Sequence, residues 1–232
     1  MTDLGQAQHA VLLSNSWFAE LPVEIQRALT SHGKVQDVAA GGMIYIRGGA
    51  ADGLYCVLKG AVRLSGTSMR GKEATLDLLE PGQWFGELSM IDGLPRVHDA
   101  WAHVASRVLL LPPAHFQSLL QTHPSFARHL LLLQSSRMRA LLAGVEAFLV
   151  RPGEELFAVR LLDLASHYGI QTNRGVEIDL PLPQDLLSQL VGVSRQRVSQ
   201  ILRLWEQEAI ISQHYGHIIV LDLARLKRVA GA

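Results

Sequence analysis

The segment from Pro183 to Ile211, PQDLLSQLVGVSRQRVSQILRLWEQEAII, restricts the possible folds of this chain more than any other stretch. Leu186, Leu187, Leu190 and Val191 share one helical face. Gly192 breaks it, and Ser194 starts a second helix whose apolar face is Val198, Ile201, Leu202 and Trp205. Two short amphipathic helices joined at a glycine make a helix-turn-helix. At about 100° per residue, Arg195, Gln196, Ser199, Gln200 and Arg203 fall opposite that core, with Arg197 on the flank. Such a face suits a major groove: Arg grips guanine through two donors, Gln pairs with adenine, and no carboxylate occurs between Asp185 and Glu206 to repel phosphate. An ordinary helical hairpin with a solvated face shares this geometry. Gly192, the Ser194 cap and the acid-free face tip the reading towards DNA, with Ser194, Arg195, Gln196, Arg197, Ser199, Gln200 and Arg203 as the expected contacts.

Bulk charge lends that reading no support. Lys+Arg and Asp+Glu balance at 21 each, and residues 151–232 balance at nine each, so the weight falls on where Arg195, Arg197 and Arg203 stand. A chain of 232 residues, 48% hydrophobic and 18% charged, has room for two modest domains. The single cysteine, Cys56, excludes a disulfide framework and a cysteine-rich zinc or iron-sulfur site, and reads as a small core residue. The first twenty residues lack a basic region followed by a long apolar core, and no apolar run is long enough to cross a bilayer. The expectation is a cytoplasmic protein with no membrane partner.

Residues 14 to 32 read as a helical lead-in, with Ser14 as a cap, Pro22 opening a second short helix and Gly33 closing it. From Val35 to Leu111 the texture changes to short apolar or alternating runs (VQDVAA, MIYI, GLYCVLKG, AVRLS, ATLDLLE, SRVLLLP) separated by glycine-rich turns such as SGTSMRGK. That pattern suggests an antiparallel barrel or jelly roll. It is interrupted at Gly82 to Arg96, GQWFGELSMIDGLPR, where Gly86 followed by Glu87, Leu88, Ser89 and Met90 reads as a short helix between strands. Arg96, nine residues beyond Glu87, can return to the same place, and the pair would offer a carboxylate for sugar hydroxyls and a guanidinium for phosphate. A capped turn with a surface ion pair fits the spacing equally well.

Pro112 and Pro113 end the strands, and after Pro124 a long helix runs to about Val150, stopped by Arg151, Pro152 and Gly153. Leu131, Ser135, Met138, Leu142, Val145 and Leu149 follow the alternating four and three spacing of a two-helix seam. The additional Leu130, Leu132, Leu133, Leu141 and Phe148 suggest that the helix also packs on its own domain. Leu156 to Tyr168 forms another helix, VEIDLPLP a strand, and IISQHYGHIIVLD a wing hairpin turning near Tyr215 and Gly216; residues 222 to 228 close with a short helix. His214 and His217 lack a further ligand nearby, so phosphate contact at the wing is the better reading than metal. The expected fold class is α+β: an N-terminal antiparallel β-barrel or jelly roll (1–122), a long dimerisation helix (123–150) and a C-terminal winged helix-turn-helix (151–232).

This order of parts, together with FGELSMIDGLPR and VGVSRQRVSQIL, resembles the Crp/Fnr family of bacterial transcription regulators over nearly the whole chain. The resemblance implies a homodimer that binds a small effector in the barrel, reorients its long helices and presents two recognition helices to palindromic double-stranded DNA. RNA polymerase is the further partner it implies. In family members that bind cyclic nucleotides, the positions matching Gly86 and Glu87 meet ribose and phosphate, and the position matching Arg96 holds the phosphate. This chain departs from the family nearby. Val97 and His98 replace the usual Ser or Thr and Ala, and an alignment anchored on Ala147 to Leu149 puts Arg139 and Ala140 where cyclic AMP receptors carry hydroxyl residues.

A lost hydroxyl bond of about 0.5–1.5 kcal/mol would weaken cyclic AMP without forbidding it. Arg137 and Arg139 would suit a guanine base or a second phosphate, making cyclic GMP and cyclic di-GMP rivals, and an ordinary solvated helix face accounts for the two arginines equally well. The expected effector contacts are Gly86, Glu87, Leu88, Arg96, Val97, His98 and Arg139, with no tightly bound cofactor and no metal. Pro183 stands where the family has a capping Thr, and Gln196 and Gln200 stand where Glu and Arg are common, which implies an altered operator. Two other readings are a regulator that binds DNA without an effector and a metal-dependent jelly-roll enzyme. The second is disfavoured because His98 and His103 lack the His-x-His spacing and following Glu of such sites.

Overall fold

The computed structural model describes residues 5–67, 73–214 and 216–231. Residues 68–72 of the SGTSMRGK turn, and Tyr215 of the wing, lie outside the described residues. The chain divides into two compact units, one of residues 1–72 and 76–139, the other of residues 73–75 and 140–232.

In the first unit three helices, α1 (Gln6–Leu13), α2 (Ser16–Ala19) and α3 (Val23–Ser31), precede the strands. Asn15, rather than the expected Ser14, caps α2, accepting from the Phe18 amide at 3.2 Å, while the Ser14 hydroxyl turns back to the Val11 carbonyl. Strands β1 (Lys34–Val38), β2 (Met43–Tyr45), β3 (Leu54–Lys59), β4 (Val62–Thr67), β5 (Glu73–Leu79) and β6 (Trp84–Phe85) are followed by α4 (Glu87–Asp92). Then come β7 (Asp99–Ala102), β8 (Ser106–Leu111), α5 (Pro113–Thr122) and α6 (Pro124–Val150). They form two open four-stranded sheets, ordered β1-β8-β3-β6 and β2-β7-β4-β5, so the jelly roll rather than a closed barrel is the outcome. The sequence reading missed β6, β7 and α5. The first two are too short to show a period, and Pro113 opens α5 rather than merely ending a strand.

β3 is buried on both faces. Leu54, Cys56 and Leu58 pack among Leu12, Phe18, Ile25, Phe116, Phe126 and Leu130 of the helices, whereas Tyr55 and Val57 face Tyr45, Val62, Phe85 and Ala100. This explains why its sequence is a continuous apolar run instead of an alternating one. Each fully buried Leu or Phe contributes about 2 kcal/mol to that packing. Leu130 and Leu133 tie α6 to the helical layer, but Leu132, Leu141 and Phe148 are exposed, against the expectation that they pack inward.

The second unit contains α7 (Gly153–Tyr168), β9 (Gly169–Thr172), β10 (Gly175–Ile178), α8 (Gln184–Val191), α9 (Arg195–Gln207), β11 (Ile211–His214), β12 (His217–Val220) and α10 (Leu223–Val229). Its sheet runs β11-β12-β10-β9. The strand expected over VEIDLPLP stops at Ile178, where Asp179 and two prolines end the ladder, and β9 pairs with it as a hairpin that polar residues hid from the sequence reading.

Candidate effector site and DNA-reading surface

The segment Phe85 to Arg96 is shaped by two left-handed glycines. Gly86 (φ 83°) turns the chain from β6 into α4, and Gly93 (φ 71°) ends α4 with its amide on the Ser89 carbonyl. The Asp92 carboxylate accepts from the Leu94 amide, and the Ser89 hydroxyl donates to the Pro95 carbonyl. The returning backbone is pinned by Arg96 N–H to the Gly49 carbonyl (2.9 Å) and Gly48 N–H to the Arg96 carbonyl (2.8 Å). Arg96 is thereby turned inward. A Cβ on Gly86 would lie 2.6 Å from its Nη1, so glycine is required there for space as well as for backbone conformation.

Glu87 and Arg96 are both buried, and they are not partners, which removes the surface ion pair as an account of their spacing. Arg96 donates to the carbonyls of Gly86 and Gly53, at 2.6 Å each, and to the Asp52 carboxylate, with its guanidinium carbon 4.3 Å from the centre of the Tyr45 ring. Asp52 also accepts from the Tyr55 hydroxyl at 2.7 Å. Glu87 is ion-paired with Arg137 of α6 and accepts from Gln134 Nε2 at 3.1 Å; Arg137 also donates to the Trp84 carbonyl. Burial pushes the Glu87 carboxyl up. The Arg137 charge and the hydrogen bonds from Arg137 and Gln134 outweigh that and hold it below its ordinary value. Two buried atoms remain open here, Oε2 of Glu87 and Nε of Arg96.

The other expected effector residues are more dispersed. His98 is half-buried, its Nε2 2.9 Å from the Tyr45 hydroxyl. Burial holds that imidazole below its ordinary value, with Arg96 and Arg137 reinforcing and Glu87 and Asp99 opposing. Leu88 and Val97 are exposed, as is Arg139. The residue that α6 brings to Glu87 is Arg137, two positions earlier. Asp52, Tyr45 and Tyr55 were not singled out from the sequence, because nothing local links ADGLY to Arg96, 44 residues on. Cys56 is fully buried, which pushes its thiol well up, and no group of His, Cys, Asp and Glu able to hold a metal occurs among the described residues.

In the second unit, Val198, Ile201, Leu202 and Trp205 bury one face of α9, and Leu186, Leu187 and Val191 that of α8; Leu190 is only half-buried. Gly192 (φ 75°) makes the turn, and Ser194 caps α9 by accepting from the Arg197 amide at 3.2 Å. Arg195, Gln196, Gln200 and Arg203 stand exposed on the opposite face, with Ser199 half-buried between them. Arg195 lies 3.4 Å from the Asp185 carboxylate. On the flank, Arg197 lies 3.6 Å from Glu154, whose other oxygen accepts from the Trp205 indole at 3.1 Å. The wing strands pair His214 with His217 beside Gly216 (φ 81°).

Residues 35–123 match the cyclic nucleotide-binding domain model, and residues 157–229 the Crp-like helix-turn-helix domain model. The cAMP-activated global transcriptional regulator of Escherichia coli is 30% identical over 82% of this chain and 90% of its own length. The global nitrogen regulator of a Synechocystis species is 31% identical over 68% of this chain and 72% of its own. A solved CRP/FNR-family transcriptional regulator of Thermus thermophilus superposes with a TM-score of 0.72 at 27% identity, covering 86% of this chain and 99% of that one. The second model is that of a Crp-like DNA-binding domain, and the relatives are transcriptional or nitrogen regulators. The effector-type jelly roll, the Crp-like DNA-binding reader and these relatives agree: the chain belongs to the Crp/Fnr family of bacterial transcription regulators.

Proposed function

We propose that the chain works as a homodimer that reads palindromic DNA through Arg195, Gln196, Ser199, Gln200 and Arg203, under the control of a cyclic nucleotide bound between Glu87 and Arg96. The observation that carries the effector is the pair of open buried atoms, one acceptor, Glu87 Oε2, and one donor, Arg96 Nε, on two groups whose charges both reach Tyr45 and His98. Buried polar atoms are nearly always satisfied, and a ribose hydroxyl with a phosphate oxygen supplies what each lacks. Arg137 is engaged by Glu87 and the Trp84 carbonyl, which leaves it less free to read a guanine; this favours cyclic AMP, the nucleotide that activates the Escherichia coli relative.

Dimerisation is supported by α6. Leu131, Met138, Leu142, Val145 and Leu149 are between 48% and 76% exposed, forming an apolar stripe that a second α6 would bury. Two readers so joined span half-sites about 34 Å apart, which compensates for the weak binding of one neutral copy. RNA polymerase is the further partner this reading includes.

A second reading is favoured by the internal partners of Arg96 and Glu87, since a site that is largely satisfied by its own chain suits effector-independent binding. Titration calorimetry with cyclic AMP, cyclic GMP and cyclic di-GMP, beside operator affinity with and without each, separates the two. No heat from any of the three, with undiminished operator binding, would reject the effector and leave the second reading.

A further inference from the structure

Asp52 and Arg96 differ sharply in how they meet solvent. The Arg96 side chain is 2% exposed and fixed by two carbonyls and the Tyr45 ring, whereas the Asp52 side chain is 47% exposed and held by Arg96 and the Tyr55 hydroxyl. The cation is therefore built in, and the anion can leave for water by rotating its own side chain. We propose that Asp52 is an intramolecular stand-in for the effector's phosphate, a carboxylate latch that a cyclic nucleotide must displace to reach Arg96. This rests on the reading that the jelly roll binds a cyclic nucleotide.

The donor inventory of Arg96 requires the displacement. Both two-donor faces of a guanidinium, Nη1 with Nη2 and Nε with Nη2, include Nη2. Here Nη2 donates to Asp52 and to the Gly53 carbonyl, so both of its N–H groups are taken and neither face can grip a phosphate while Asp52 stays. Charge points the same way. Arg96 and Arg137 are balanced by Asp52 and Glu87, all four acting on Tyr45. An added phosphodiester leaves this cluster one charge negative, and the release of Asp52 restores neutrality.

The latch lowers apparent affinity by the fraction of molecules in which it is open. The test uses the full chain and its Asp52→Asn and Tyr55→Phe variants, with cyclic AMP in calorimetry and inorganic phosphate in thermal unfolding. Asp52→Asn is expected to bind cyclic AMP about tenfold tighter than the parent, and Tyr55→Phe a few-fold tighter. Inorganic phosphate should raise the unfolding temperature of Asp52→Asn but not of the parent, and the rise should vanish when Arg96→Leu is added. If cyclic AMP binds Asp52→Asn no better than the parent, the latch is refuted and Asp52 is a positioning group, while the effector reading stands. If cyclic AMP binds neither protein but phosphate stabilises Asp52→Asn through Arg96, the latch stands and cyclic AMP falls. No response to either probe in either protein would refute both. Tyr55→Phe keeps the carboxylate in place, so a failure of Asp52→Asn to fold still leaves a variant whose affinity gain, or lack of one, decides the matter.

Discussion

Arg137→Met should destabilise the first unit in a pH-dependent way. The substitution keeps most of the aliphatic stem and removes the charge that Glu87 faces. The Glu87 side chain is 4% exposed and Arg137 37%, so the pair is buried on one side only. Removing one member of a fully buried pair costs about 3–5 kcal/mol. Solvent screening of the open Arg137 end reduces this to about 2 kcal/mol, with Gln134 still donating to Glu87. At about 2–4 °C per kcal/mol for a protein of this size, the unfolding midpoint at pH 7 falls by about 6 °C.

The pH dependence follows from the direction of the Glu87 shift. In the parent, the Glu87 carboxyl sits below its ordinary value of 4.5, so it adds stability that is complete above 4.5 and is lost as pH falls through the lower folded value. In Arg137→Met, burial prevails and the folded value rises above 4.5. Glu87 then opposes folding at neutral pH and ceases to do so as pH falls through that raised value. The difference between the two proteins should therefore be greatest near pH 7 and shrink towards pH 4. Glu87→Gln in the Arg137→Met background should recover most of the loss at pH 7. Differential scanning calorimetry from pH 4 to 8 measures all of this, and a deficit that is absent, or constant across that range, would contradict the account.

Three other outcomes are expected. Arg195→Ala should cost about 1–3 kcal/mol of operator binding and relax base preference at one position of each half-site, whereas Arg197→Ala should weaken all sequences alike and reduce the salt dependence by about one charge; mobility shifts on base-substituted sites at several salt concentrations distinguish them. Leu142→Glu, in the exposed stripe of α6, should yield monomers in sedimentation and abolish binding to the two-half-site operator while single-site binding persists. Gly192→Ala should destabilise the second unit by about 1–2 kcal/mol in denaturant unfolding, because its φ is 75° and the new methyl would meet the Phe148 ring at 2.9 Å.

How far the sequence is legible depends on the distance over which its signals act. The reader is recognisable because everything that shapes it lies within one stretch: the Ser194 cap, the Gly192 turn and the helical spacing from Leu186 to Trp205. The strands of the jelly roll were visible where apolar runs are long, as in β3 and β8, and invisible where two or four residues are held by their neighbours, as in β6 and β7. The polar β9 escaped for the same reason, because pairing with β10 and not side-chain pattern makes it a strand. At the candidate effector site, Gly86, Glu87 and Arg96 stood out because they share a short motif, and the residues that engage them came from elsewhere.

The sequence by itself determined the local instruments: two amphipathic helices around Gly192, a glycine-framed helical insert at Glu87, and an apolar stripe on the long helix. These follow from periodicity, capping and backbone freedom, all of which act over a few residues. Tertiary structure alone decided the electrostatic pairing. It set Arg96 against Asp52, Glu87 against Arg137, and Arg197 against Glu154. Ion pairing depends on distance through space and on burial, and neither is encoded by spacing along the chain.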